Sequence, residues 1–105
     1  MTTFSLEKAR WQSYFDNFSR VMEPVPATLE IVSEEIGDQV EAEKKTLQGI
    51  TYDPKDDILE LQLGDEVDHL IHGPKEIYVT EGDDGFSSLE AVDKDGVKHI
   101  LTLTP

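Results

Sequence analysis

The chain contains no cysteine. That excludes a disulfide framework, a thiol nucleophile and every thiolate-ligated zinc or iron–sulfur centre. Cations are scarce: nine lysines and arginines stand against 23 aspartates and glutamates, for a formal charge of −14 over 105 residues. Such a balance opposes contact with phosphate backbones and with anionic membrane surfaces, so neither nucleic acid nor membrane is expected as a partner. No apolar run approaches the roughly 20 residues that span a bilayer. The opening residues Met1-Thr2-Thr3-Phe4-Ser5 have neither the basic nor the apolar region of a secretory leader, so none is expected. Phosphate-cradling glycine motifs are missing, as are a Gly-x-Ser-x-Gly elbow and a Ser-x-x-Lys pair, and no catalytic residue is assigned.

What is present is unevenly distributed. Residues 1–24 hold three cations and three acids, whereas the remaining 81 hold six lysines against 20 acids and carry the whole net charge. Aromatics show the opposite bias, with Phe4, Trp11, Tyr14, Phe15 and Phe18 making five of the eight. Leu6, Trp11, Tyr14, Phe15, Phe18, Val21 and Met22 recur at three- and four-residue spacings, predicting an amphipathic helix over about 5–23. Ser5 suits its N-cap, and Pro24 and Pro26 end it. The dense aromatic stripe reads as core that covers one face of a sheet.

From Ala27 the period falls to two, and a sheet is expected over about 27–104. Ala27–Val32 reads as a strand, Ser33–Asp38 as a turn, and Gln39–Lys45 as a charged strand. Gly49 interrupts the run Leu47–Tyr52 and suggests a bulge. Asp53-Pro54-Lys55-Asp56-Asp57 has hairpin chemistry. Ile58–Leu63 alternates again, and Gly64–His72 reads as an acidic loop. Ile77–Thr80, Phe86–Val92 and Val97–Leu103 complete the pattern, around turns at Gly82–Gly85 and Asp93–Gly96. Connections this short exclude parallel pairing. The predicted fold is α+β: one N-terminal helix packed on an antiparallel β-meander of about six strands, in a single domain.

Three groups of residues could carry chemistry. His69 and His72, spaced i, i+3 beside Asp68, could hold a metal or small ligand if the segment were helical or a further ligand approached. His99 lies far away in sequence. The Asp-rich turns mimic calcium loops only in part: counted from Asp93, positions 5 and 12 are Val97 and Thr104, which offer no carboxylate. Polar residues at strand ends supply the remaining binding candidates, Asp38, Gln39, Tyr52 and Asp53. No cofactor or metal is assigned.

Trp11…Tyr14-Phe15-Asp16…Phe18, Glu35-Ile36-Gly37-Asp38-Gln39, the stretch Leu47 to Asp57, and His69-Leu70-Ile71 with Pro74 together resemble a family of short bacterial proteins known only as a domain of unknown function. Gly49-Ile50-Thr51-Tyr52-Asp53-Pro54-Lys55-Asp56-Asp57 is the most specific part. The Tyr-Asp-Pro hairpin also resembles, locally, a second small bacterial β family. The resemblance implies a bacterial, cytoplasmic, single-domain protein and assigns no activity. The leading expectation is therefore a non-enzymatic accessory protein that binds another protein, basic by charge, through an acidic sheet surface or strand edge. A metal- or ligand-binding module at His69 and His72 is the alternative.

Overall fold

The structure, a computed structural model, describes residues 1–35, 37–64 and 68–104, and for 41–44 the backbone alone. Strand β1 (Thr2–Ser5) leads into a single 3-10 turn (Lys8–Arg10) and helix α1 (Trp11–Val21). Seven strands follow: β2 (Val25–Ser33), β3 (Gly37–Asp53), β4 (Ile58–Leu63), β5 (His69–His72), β6 (Glu76–Gly82), β7 (Gly85–Val92) and β8 (Lys98–Leu103). All eight join one antiparallel sheet in the order β1-β6-β7-β8-β2-β3-β4-β5.

The α+β class holds, but several expectations need correction. Among the described residues the sheet has eight strands rather than about six, and it is no simple meander, because β2 pairs with β8 and β1 with β6 across the chain. Ser5 ends a strand instead of capping a helix: Phe4 pairs with Val79, and the Leu6 amide donates to the Ile77 carbonyl at 2.8 Å. The helix is correspondingly shorter than 5–23. The end of the expected loop Gly64–His72 is strand β5; residues 65–67 of that loop, and Ile36 of the first turn, lie outside the described residues.

Alternation sorts the side chains. Ala27 and Leu29, Leu59, Leu61 and Leu63, Ile71, Ile77 and Val79, Leu89 and Ala91, and Leu101 form one buried inner face. Trp11 and Phe15 of α1 press into it, fully buried, with Tyr14, Phe18 and Met22 packed at the margin. The Trp11 indole N–H donates to the Leu6 carbonyl at 2.8 Å, and its ring meets Tyr52 edge-on at 5.1 Å. Val21, placed on the apolar stripe by its spacing, is instead 76% exposed at the last helical position.

Gly49 marks the predicted bulge. The register slips between Leu47 and Gly49, so inward positions change parity from Leu47 to Ile50 and Tyr52. Past Leu47, β3 has run beyond its last paired residue in β2, Val25, and the Ile50 backbone turns toward α1. Ser19 takes the missing strand's place: its hydroxyl donates to the Ile50 carbonyl at 2.7 Å and accepts from the Ile50 amide at 2.8 Å. One side chain thus satisfies both main-chain groups of a buried residue.

The sheet also rolls over on itself. A flat sheet of eight strands would be one layer thick, yet the molecule measures 35 × 30 × 30 Å. The turn from β5 to β6 packs on the turn from β7 to β8, where a Cβ at Gly73 would lie 3.1 Å from the Lys94 chain.

Replacing Ser19 with Ala should lower stability by about 1–3 kcal/mol, the cost of stranding buried polar groups. Val21→Ala should stay within about 0.5 kcal/mol, as exposed sites do. Urea denaturation of the two variants measures both.

Candidate functional site

The six binding candidates divide among separate places. Asp38 and Gln39 sit at the β2–β3 hairpin, opposite Val32 and Ile31, with exposed side chains. The Glu30 carboxyl is pushed above the ordinary glutamate range because it hydrogen-bonds the Asp38 carboxyl and faces its charge. Tyr52 and Asp53 lie at the other end of β3.

Tyr52 is core rather than surface, 3% exposed, and its hydroxyl donates to the Asp57 carboxylate at 2.6 Å. Burial first, then that bond and the charges of Asp57 and Asp53, push the phenol up to about 12. Asp53 Oδ1 accepts from the Lys55 amide at 2.9 Å, the expected turn chemistry. Asp57 closes this hairpin in the left-handed region at φ 55°, where a short polar side chain is tolerated.

His69 and His72 are not brought together. In a strand, residues three apart face opposite sides, so His69 joins Ile71 on the inner face and His72 turns outward. The pair cannot form the joint ligand-binding module envisaged from their spacing.

His69 meets His99 instead. His69 Nε2 lies 2.9 Å from His99 Nδ1, and His99 Nε2 lies 2.9 Å from Asp93 Oδ2. Asp93 Oδ1 also accepts from the amides of Asp95 (2.9 Å) and Val97 (3.1 Å). Burial alone would raise the Asp93 carboxyl. Its bonds from His99 and from the two amides outweigh that and hold it below the ordinary aspartate range. With Asp93 ionised, His99 carries a proton on Nε2; when His99 is neutral, its Nδ1 accepts from His69 Nε2–H.

This Asp93–His99–His69 line joins β5 to β8, strands separated in the sheet by β2, β3 and β4. It is a clasp across the rolled interior. His99 spends its two nitrogens in opposite directions, so the three groups form a line and do not converge on a point. Among the described residues no group of three or more His, Asp or Glu is placed to hold a metal ion. The sequence held two signals for the clasp: His99 occupies an inward position of β8 in step with Leu101, and Asp93 opens the adjoining turn. The contact with His69 depends on the roll.

The outer face of β3, β4 and β5 gathers two of the candidates. Thr51, Glu60 and Leu70 form one cross-strand row, and Asp53, Ile58 and His72 the next. A shallow groove runs between them, lined by Thr51, Asp53, Ile58, Glu60 and Leu70. Its charged side chains are two carboxylates, and Leu70 is 43% exposed.

Residues 2–105 match a family described as "Family of unknown function (DUF5335)". The chain belongs to that family. It is also similar to an "Uncharacterized protein" of Aquifex aeolicus (strain VF5), 49% identical over 105 residues that cover 100% of this chain and 95% of the relative. No solved structure matches. Membership of a bacterial family of unknown function, expected from the stretch Gly49 to Asp57, therefore holds. Among the described residues no helix is long and apolar enough to cross a membrane.

Asp93→Ala should cost about 2 kcal/mol, because it strands the buried His99 N–H and the part-buried Val97 amide. Since folding lowers the Asp93 pKa, the native state binds fewer protons than the unfolded chain. The stability this group contributes is present above the unfolded value of about 3.9 and is lost as pH falls through the lowered folded value. Thermal melts between pH 7 and pH 2 should show Asp93→Ala losing less stability on acidification than the parent.

Proposed function

We propose that the protein is a non-enzymatic interaction protein of the cytoplasm that binds a basic protein through its acidic sheet surface. One observation carries this reading: carboxyls crowd one another on the outside of the sheet. Two glutamates stand so close to an aspartate that, when protonated, each can donate to it: Glu30 to Asp38 and Glu60 to Asp68. Each contact lifts a glutamate above its ordinary range, Glu60 through the bond to Asp68 first, then burial and the Asp68 charge. Like charges held this close store repulsion that an incoming cation relieves.

The total charge of −14 extends the effect beyond contact range, raising the rate of encounter with a positive surface and turning nucleic acid away.

The test is capture of partners from a bacterial lysate by the tagged protein at ~0.1 M salt, repeated at ~0.5 M, where the Debye length falls well below ~8 Å. A stoichiometric partner of basic composition, retained at low salt and lost at high salt, is the expected result. Glu60→Gln combined with Asp68→Asn, or Glu30→Gln with Asp38→Asn, should weaken capture at low salt. No partner at either salt, or one indifferent to salt and to these variants, overturns the proposal.

A further inference from the structure

Strand β5 ends the sheet, and its outward side has no pairing strand among the described residues. The Gly73 amide donates to the Asp57 carbonyl at 2.9 Å, which fixes the phase of the ladder between β4 and β5. By antiparallel alternation, Leu59 with Ile71 and Leu61 with His69 exchange hydrogen bonds. Leu70 and His72, opposite Glu60 and Ile58, therefore direct their amides and carbonyls away from β4. Beside this edge runs the groove of Thr51, Asp53, Ile58, Glu60 and Leu70, whose two charged groups are carboxylates.

We propose that the free edge of β5 is a docking site for an extended basic segment of another protein, which adds as a further strand and directs its cationic side chains toward the acidic groove at its Glu60 side. The inference rests on the acidic-interaction reading above and names the place and the form of the partner.

Charge decides the occupant. A strand's side chains alternate between faces, so a segment with Lys or Arg at every second position sends all its cations to the outer face, into the acidic groove. Its intervening apolar residues then fall on the side of Ile71. Leu70, exposed at the edge end of the Thr51–Glu60 row, supplies an apolar contact for the cations' methylene stems. A second copy of this chain is a poor occupant, because pairing β5 with β5 would bring the acids of two molecules together. The crowded Glu60 and Asp68 carboxyls give a cation an added advantage.

The experiment titrates the full isotope-labelled chain with the peptide acetyl-Lys-Val-Lys-Val-Lys-Val-amide, followed by amide NMR shifts and hydrogen exchange. An acetyl-Glu-Val-Glu-Val-Glu-Val-amide peptide serves as control. The expected result is saturable binding of the lysine peptide alone, with the largest shifts and slowed exchange at Leu70 and His72. Leu70→Pro removes one outward N–H while sparing the ladder to β4, and should weaken binding about ten-fold or more. Leu70→Asp, which keeps the main chain, should leave the edge protection intact where Leu70→Pro fails to fold, and Glu60→Gln with Asp53→Asn should flatten the salt dependence.

Binding that perturbs other acidic surfaces and ignores Leu70→Pro overturns the β5 assignment while leaving the acidic-interaction reading in place. Failure of the lysine peptide to bind anywhere overturns both. Mass doubling without peptide, abolished by Leu70→Pro, would assign the edge to a second copy and overturn the proposal.

Discussion

Everything in this fold follows from a shortage of cover. An antiparallel sheet can leave one face wet but must bury the other. Here the sheet has eight strands, and the helix that crosses it has 11 residues. At 1.5 Å per residue that helix is roughly 16 Å long, while eight strands side by side span roughly 34 Å. The uncovered apolar surface has to find itself. The sheet rolls until the inner face of β5 meets that of β8, and α1 fills the remaining gap with Trp11 and Phe15.

Rolling creates a second demand, because main-chain and side-chain polar groups end up inside. Each is met locally. Ser19 serves the amide and carbonyl of Ile50 where β2 stops short, and Leu6 O receives the Trp11 indole N–H. The Asp93 carboxylate, held by two turn amides, fixes one nitrogen of His99 and leaves the other for His69. Among the described residues no buried side-chain nitrogen or oxygen is left without a partner. These bonds add little net energy each when made, but removing one partner exposes the full desolvation cost of the other. They therefore specify one rolled arrangement more than they stabilise it, and the apolar face supplies the bulk of the driving force.

The elements that were legible in the sequence are those set by local chemistry. The aromatic stripe gave α1, Gly49 gave the bulge, and Asp53-Pro54 and Asp93–Gly96 gave their turns. What escaped depends on contacts distant in the chain. Strand β1 has four residues and no alternation of its own; it exists because β6 offers an edge. Strand β5 hides behind Gly64 and a run of acids, and only pairing with Ile58–Leu61 makes it a strand. His69 looked like a partner for His72 because spacing along the chain was visible and strand parity at that point was not. The candidates Asp53 and His72 do share a face, a consequence of the β3–β4–β5 register that neither residue's neighbours announce.

The same register explains why the acids are where they are. Among the described residues the rolled sheet does not close and keeps two edges, β1 and β5, and an exposed edge invites pairing with any other chain. Charge on and beside the edge is the common remedy, since it repels copies of the same molecule. On the outer face beside β5 the remedy is acidic: Glu60 and Asp68 lie next to the edge and Asp53 one strand further in, and the six lysines of residues 25–105 are outnumbered by 20 acids. A mixed distribution of charge would have blunted self-association without choosing a partner. A uniform one also selects, because the strand it still admits is a strand of opposite charge. Under the proposal, protection of the edge and recognition at the edge are one property of the sequence, since the acidity that opposes pairing with a second acidic copy is the same acidity that favours a basic strand.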